Sequence, residues 1–147
     1  EARQLLREGL AARASMTPLA AFQTLVRELL DTGHPLLRIN AGAASFWKTV
    51  AQSAVLVAHA RQLQALLTDD LAQLMAESAG RPIGDADGRL AASMLMASMV
   101  AAYEQGLRVL SCGGDPRQAM VPLIVRGATG TLVALAGTPY TDPSSCP

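Results

Sequence analysis

Residues 89–110 set the tightest limit on what this chain can fold into. Projected at 100° per residue, only Ser93, Glu104 and Arg108 define a polar strip, and the rest of the circumference is almost entirely apolar. A helix of that kind needs cover on more than one side. A membrane is not the cover. The longest nearly apolar run, residues 90–103, is short of the ~20 residues a bilayer requires and is bracketed by Arg89 and Glu104. The domain's own core covers one side, and a second subunit is the expected cover for the other.

The kind of apolar residue then selects the fold class. Ala (27) and Leu (22) make up a third of the 147 residues, while Phe, Tyr and Trp together number five. Ala and Leu lead the helix-propensity scale, whereas a β-sandwich or barrel would need Val, Ile, Thr and aromatics in alternation. The chain reads as all-α and as one domain, long enough to bury a core without disulfide or metal staples. The two distant cysteines, Cys112 and Cys146, exclude a disulfide scaffold and multi-cysteine zinc motifs. Twelve basic residues (eleven of them scattered arginines, the other Lys48) balance twelve acidic ones. That zero net charge argues against a nucleic-acid module within these residues. No basic segment followed by an apolar one marks a secretory signal, so the expected location is the cytoplasm.

Along the chain, residues 1–14 put Leu5, Leu6 and Leu10 on one face of an amphipathic helix. Glu1 and Ala2 are poor N-caps, and from that uncapped start a longer protein is expected. Thr17 and Pro18 open a second helix carrying Leu19, Phe22, Leu25, Val26, Leu29 and Leu30, which Gly33 stops. His34-Pro35 opens a third, through Leu36, Leu37 and Ile39 to Phe46 and Trp47, with Asn40 and Gly42 weakening its middle. After Gln52-Ser53 a stripe of Leu56, Leu63, Leu67 and Leu74 marks the most regular helix, ending near Ala79-Gly80. Asp85 or Asp87 caps the two-sided apolar helix, and Asp115-Pro116 starts the last one, residues 116–136. That helix contains Pro122, Gly127 and Gly130, each costly in a helix interior. Gly127, Gly130 and Ala134 recur at helical spacing and form a narrow face that admits another helix closely. Residues 137–147, with three prolines, read as a loose tail. The expectation is an antiparallel helical bundle of about six helices over residues 1–136.

Signals for catalysis are few. There is no Gly-rich phosphate loop, His-Glu-x-x-His, Gly-x-Ser-x-Gly or Cys-x-x-Cys. His34 precedes a proline in a loop. His59 falls on the flank of the leucine stripe and is expected to face inward, either as a hydrogen-bonded core histidine or lining a cavity. Two histidines without a carboxylate at ligand spacing make no metal site. Asp69 and Asp70 point about 100° apart on a helix and cannot act as a dyad. Cys112 closes a helix before Gly113, where the dipole works against a reactive thiolate. No metal, cofactor or enzymatic activity is expected. Met94, Met96, Met99 and Tyr103 are the exception to this plainness, since methionine suits surfaces that accept varied apolar partners. Met96, Met99 and Tyr103 share one side of their helix, either as core filling or as the wall of a cavity. In the second reading Phe22, Val26, Phe46, Trp47 and His59 come from other helices, with Tyr103, His59 and Trp47 as the polar handles.

In order and punctuation these segments resemble the C-terminal regulatory domain of TetR-family transcriptional regulators. The likeness covers residues 1–136. It rests on Thr17-Pro-Leu-Ala-Ala-Phe22, Pro35-Leu-Leu-Arg38 and Leu71-Ala-Gln-Leu-Met-Ala-Glu-Ser-Ala-Gly80. It continues through Asp87-Gly-Arg-Leu-Ala-Ala-Ser-Met94, Gly113-Gly-Asp-Pro116 and Gly130-Thr-Leu-Val-Ala-Leu135. The resemblance implies that the last two helices pair with their copies in a homodimer, using Met94, Ala101, Met120, Leu123, Gly127, Gly130 and Ala134. It also implies that the other helices enclose a pocket for a small hydrophobic effector, whose binding shifts the spacing of two DNA-binding heads. The family's helix-turn-helix lies before the first regulatory helix and is not in this sequence. Operator DNA is therefore expected to be met only through an N-terminal domain outside this chain. A different class, a helical protein–protein interaction module with no pocket, predicts solid packing around Met96, Met99 and Tyr103.

Overall fold

A computed structural model describes residues 2–142 and, among them, six α-helices and no strand. They are α1 (Ala2–Ala11), α2 (Pro18–Asp31), α3 (Ala41–Ala51), α4 (Ala54–Ser78), α5 (Ala86–Ser111) and α6 (Pro116–Ala134). Side-chain oxygens close four of the helix starts. Asn40 accepts from the Ala43 amide at 2.9 Å, Ser53 from Leu56 at 3.4 Å, Asp85 from Gly88 at 3.2 Å and Asp115 from Arg117 at 2.9 Å. Each bond satisfies an amide that the helix itself leaves unpaired. Pro18 and Pro116 occupy first-turn positions, where a missing amide costs nothing. Between Asp85 and Asp87, Asp85 is the cap.

The helix boundaries differ from expectation in two places. The first helix ends at Ala11, and residues 12–16 continue in tight turns joined by bonds such as Arg13 N–H to Leu10 C=O at 3.0 Å. The third helix does not begin at His34-Pro35. Residues 34–38 form turns in which His34 Nδ1 accepts from the Leu36 amide at 3.3 Å. Asn40, expected to weaken the middle of a helix, starts one instead. Its backbone is extended (φ −140°, ψ 178°) and its amide oxygen holds the first turn. A short polar side chain that bonds nearby backbone competes with helix at an interior position and favours it at the start.

The core is built from Leu19, Phe22 and Val26 of α2, Leu71, Leu74 and Met75 of α4, and Ala91, Ala92 and Leu95 of α5, closed by Ala128 and Leu135. Helix α5 packs along α6 and against α4, and α1 lies on α4 and α2. The leucine stripe of α4 does not all join this core. Leu74 is buried, but Leu56 and Leu63 are exposed, and the buried residues of that helix all lie between Leu71 and Ala76. Pro122 sits on the exposed side of α6 without ending it.

Residues 137–142 correct the expectation of a loose tail; residues 143–147 lie outside the described residues. The Tyr140 side chain is 0% exposed, and its hydroxyl donates to Asp85 Oδ2 at 2.9 Å. The Leu19 amide donates to the Tyr140 carbonyl at 3.3 Å, so one residue ties the starts of α2 and α5 together. Gly88 makes room for it, since a Cβ there would lie 2.6 Å from the tyrosine hydroxyl oxygen. Arg81 adds a 3.3 Å ion pair to Asp85. Burial works to raise the Asp85 pKa, but the bonds from Tyr140 and the Gly88 amide and the charge of Arg81 outweigh it. The carboxyl is held below its ordinary value. Burial, and the bond to the Asp85 carboxylate, push the Tyr140 hydroxyl well above the usual tyrosine range.

Candidate functional site

A cleft of about 410 Å³ opens between α2, α5 and α6, within the size range of small-molecule sites. Its floor is apolar: Phe22 and Val26 of α2, Leu95 and Met99 of α5, Ile124 and Ala128 of α6. The helical period aligns these residues. Phe22, Val26 and Leu30 follow one row of α2, and Val121, Ile124, Ala128 and Leu132 follow one face of α6. Arg27, Asp31 and Arg117 line the rim, along with the polar groups of Gln23, Ser98 and Thr129. Arg117 Nη2 donates to Asp31 Oδ1 at 2.6 Å, across the mouth from α6 to α2. Both side chains stay more than half exposed, at 55% and 60%. Arg27, one turn before Asp31, makes no ion pair among the described residues.

Three of the eight residues expected to line a pocket converge on this cleft: Phe22, Val26 and Met99. Met96 is half-buried and packs against the core away from the cleft. Trp47 and Tyr103 form a separate contact between α3 and α5. The indole N–H donates to the tyrosine hydroxyl at 3.3 Å, and the rings meet edge to face with centroids 6.1 Å apart. Phe46 stands against Trp47 at 5.4 Å but is 61% exposed. His59 does not face inward. It is exposed, on the N-terminal half of α4, where no residue is buried. The expected pocket residues thus fall into a cleft-lining group, an α3–α5 aromatic contact and surface positions.

Arg27, Asp31 and Arg117 carry no signal in the sequence that marks them as a site. Asp31 and Arg117 are 86 residues apart, and no local pattern relates them. Val121, Ile124, Ala128 and Leu132 recur at helical spacing, but nothing in that row names α2 as the facing helix.

The residues assigned to a subunit interface also divide. Met120 is 1% exposed and is packed inside the chain, where a Cβ on Gly106 would come within 3.0 Å of its side chain. Gly127 faces α5 of its own chain, since a Cβ there would overlap the Ser98 side chain. Neither is free for a partner. Met94 and Leu123 are half-buried, and Ala101, Gly130 and Ala134 are exposed, with open space around Gly130. Leu90, Ala97 and Val133 are exposed on the same two helices, Val133 at 73%.

Among the described residues no three His, Cys, Asp or Glu side chains cluster as a metal site, and no helix is long and apolar enough to cross a membrane. Compared with protein families, curated proteins and solved structures, the chain finds no match.

Proposed function

We propose that this chain is the effector-binding and dimerisation domain of a TetR-like transcriptional regulator acting in the cytoplasm, an antiparallel helical bundle without enzymatic activity. One observation carries the reading. Helices α5 and α6 form a wall of the cleft with Leu95, Met99, Ile124 and Ala128, and on their outer sides expose Leu90, Ala97, Ala101 and Val133. The same two helices therefore touch a ligand on the inside and a second copy on the outside. A ligand that favours one packing of α5 and α6 changes the pairing of the copies, and with it the spacing of N-terminal heads that meet operator DNA. By linkage, an effector that favours the non-binding spacing lowers DNA affinity.

Light scattering at micromolar concentration tests the first half: the expected result is a dimer, and a monomer overturns it. The second half predicts a melting temperature that rises with the concentration of an apolar probe such as decanol. Met99→Trp, which fills the cleft, is expected to abolish that rise.

The exposed apolar ridge of Phe46, Val55, Leu63 and Leu66 on α3 and α4 favours a second reading, a helical protein–protein interaction module. A dimer that takes up no apolar probe would support it.

A further inference from the structure

We propose that the occupant of the cleft is a carboxylate-headed amphiphile, bound with its head between Arg27 and Arg117 and its chain on the apolar floor. The inference rests on reading the cleft as a ligand site. Its volume of about 410 Å³ falls within the range of small-molecule sites. Phe22, Leu95 and Ile124 offer that space nothing but hydrocarbon. The rim is different. It carries two guanidinium groups and one carboxylate, so the mouth of an apolar slot has a surplus of one positive charge.

The fork of a guanidinium matches a carboxylate, and Arg27 has no such partner among the described residues. Arg117 has one in Asp31, but that pair is more than half exposed on both sides, and exposed ion pairs are weak. A ligand carboxylate held at the edge of an apolar slot meets less water, so it competes with Asp31 for Arg117. The exchange has a consequence. The Arg117–Asp31 bond is the only hydrogen bond between α2 and α6 among the described residues, so the head group that takes Arg117 also removes that one polar link between the two helices.

The test is calorimetry and thermal shift on the full chain with decanoate, decanol and decyltrimethylammonium. Decanoate is expected to bind about tenfold or more tighter than decanol, as two charge-assisted hydrogen bonds require, and to weaken with added salt. The cation is expected not to bind. Arg27→Ala and Arg117→Ala are each expected to weaken decanoate binding by about tenfold, with a smaller effect on decanol. Asp31→Asn, which removes the competitor, is expected to tighten it. That last variant separates the proposal from a merely structural tie, for which Asp31→Asn and Arg117→Ala would act alike. Decanol binding as tightly as decanoate, or Asp31→Asn weakening decanoate, overturns the head-group assignment and leaves the cleft standing as an apolar site. If neither decanol nor decanoate binds, the ligand reading of the cleft falls with it.

Discussion

Tyr140→Phe isolates one hydroxyl in a fully buried place. The ring keeps its contacts, so the change removes only the 2.9 Å bond to Asp85. The Asp85 side chain is 10% exposed and retains the Gly88 amide at 3.2 Å and Arg81 at 3.3 Å. A hydrogen bond to a charged group contributes about 1.5–3 kcal/mol. The remaining partners place the loss toward the middle of that range, about 2 kcal/mol. For a chain of this size that is a fall in melting temperature of about 4–8 °C. Urea denaturation followed by circular dichroism at pH 7 measures it, with an unchanged slope expected because the surface exposed on unfolding is the same. The pH dependence supplies a second check. Asp85 holds its proton more weakly folded than unfolded, so its contribution is complete above the ordinary value of 3.8 and is lost as pH falls through the lower folded value. In that acid range the carboxyl becomes neutral, its bond to Tyr140 loses the charge assistance, and the deficit of Tyr140→Phe shrinks. A loss below about 0.5 kcal/mol at pH 7, or a deficit that grows with acid, refutes the reasoning.

At the alkaline end the sign reverses: the raised Tyr140 stabilises fully below the ordinary tyrosine value of 10.0 and loses that contribution as pH rises beyond it, a loss Tyr140→Phe is expected not to share. Gly127→Ala and Gly130→Ala are expected to move stability in opposite directions in thermal melts. The first forces a methyl into Ser98 and costs about 1–3 kcal/mol; the second meets open space and gains about 0.5–1 kcal/mol from helix propensity. A loss at Gly130 would mean that something packs on it. Val133→Asp, on a side chain 73% exposed, is expected to leave the helical spectrum intact and convert a dimer to a monomer by light scattering. His59→Ala and Phe46→Ala lie off the cleft and are expected to leave decanoate affinity within twofold by calorimetry, roughly the range of ordinary surface changes.

Much of the helical layout is legible locally. Thr17-Pro18, Ser53, Asp85 and Asp115-Pro116 mark starts, and Gly33, Gly80 and Gly113 follow the ends at positive φ, because caps and breakers act within a turn or two of themselves. Asn40 shows the limit of that signal. Leu36, Leu37 and Ile39 precede it at a helical spacing, and only the backbone it adopts decides whether it interrupts a helix or begins one.

The all-helical class, the places where most helices begin and the residues that share a face are all legible locally, since propensity, capping and a 3.6-residue period are properties of neighbours along the chain. Which face meets which is settled in the packed chain alone. Gly127 and Gly130 belong to the same small-residue row, yet one seats Ser98 and the other faces open space. Leu74 and Leu63 continue one stripe, yet only the first is buried. Tyr140 sits in a segment with the composition of a tail and closes the core. Asp31 and Arg117 become partners only because α2 and α6 flank the same cleft. Helical spacing gives directions around an axis, whereas packing depends on how far each neighbouring helix extends and where it crosses. A period in the sequence does not encode that.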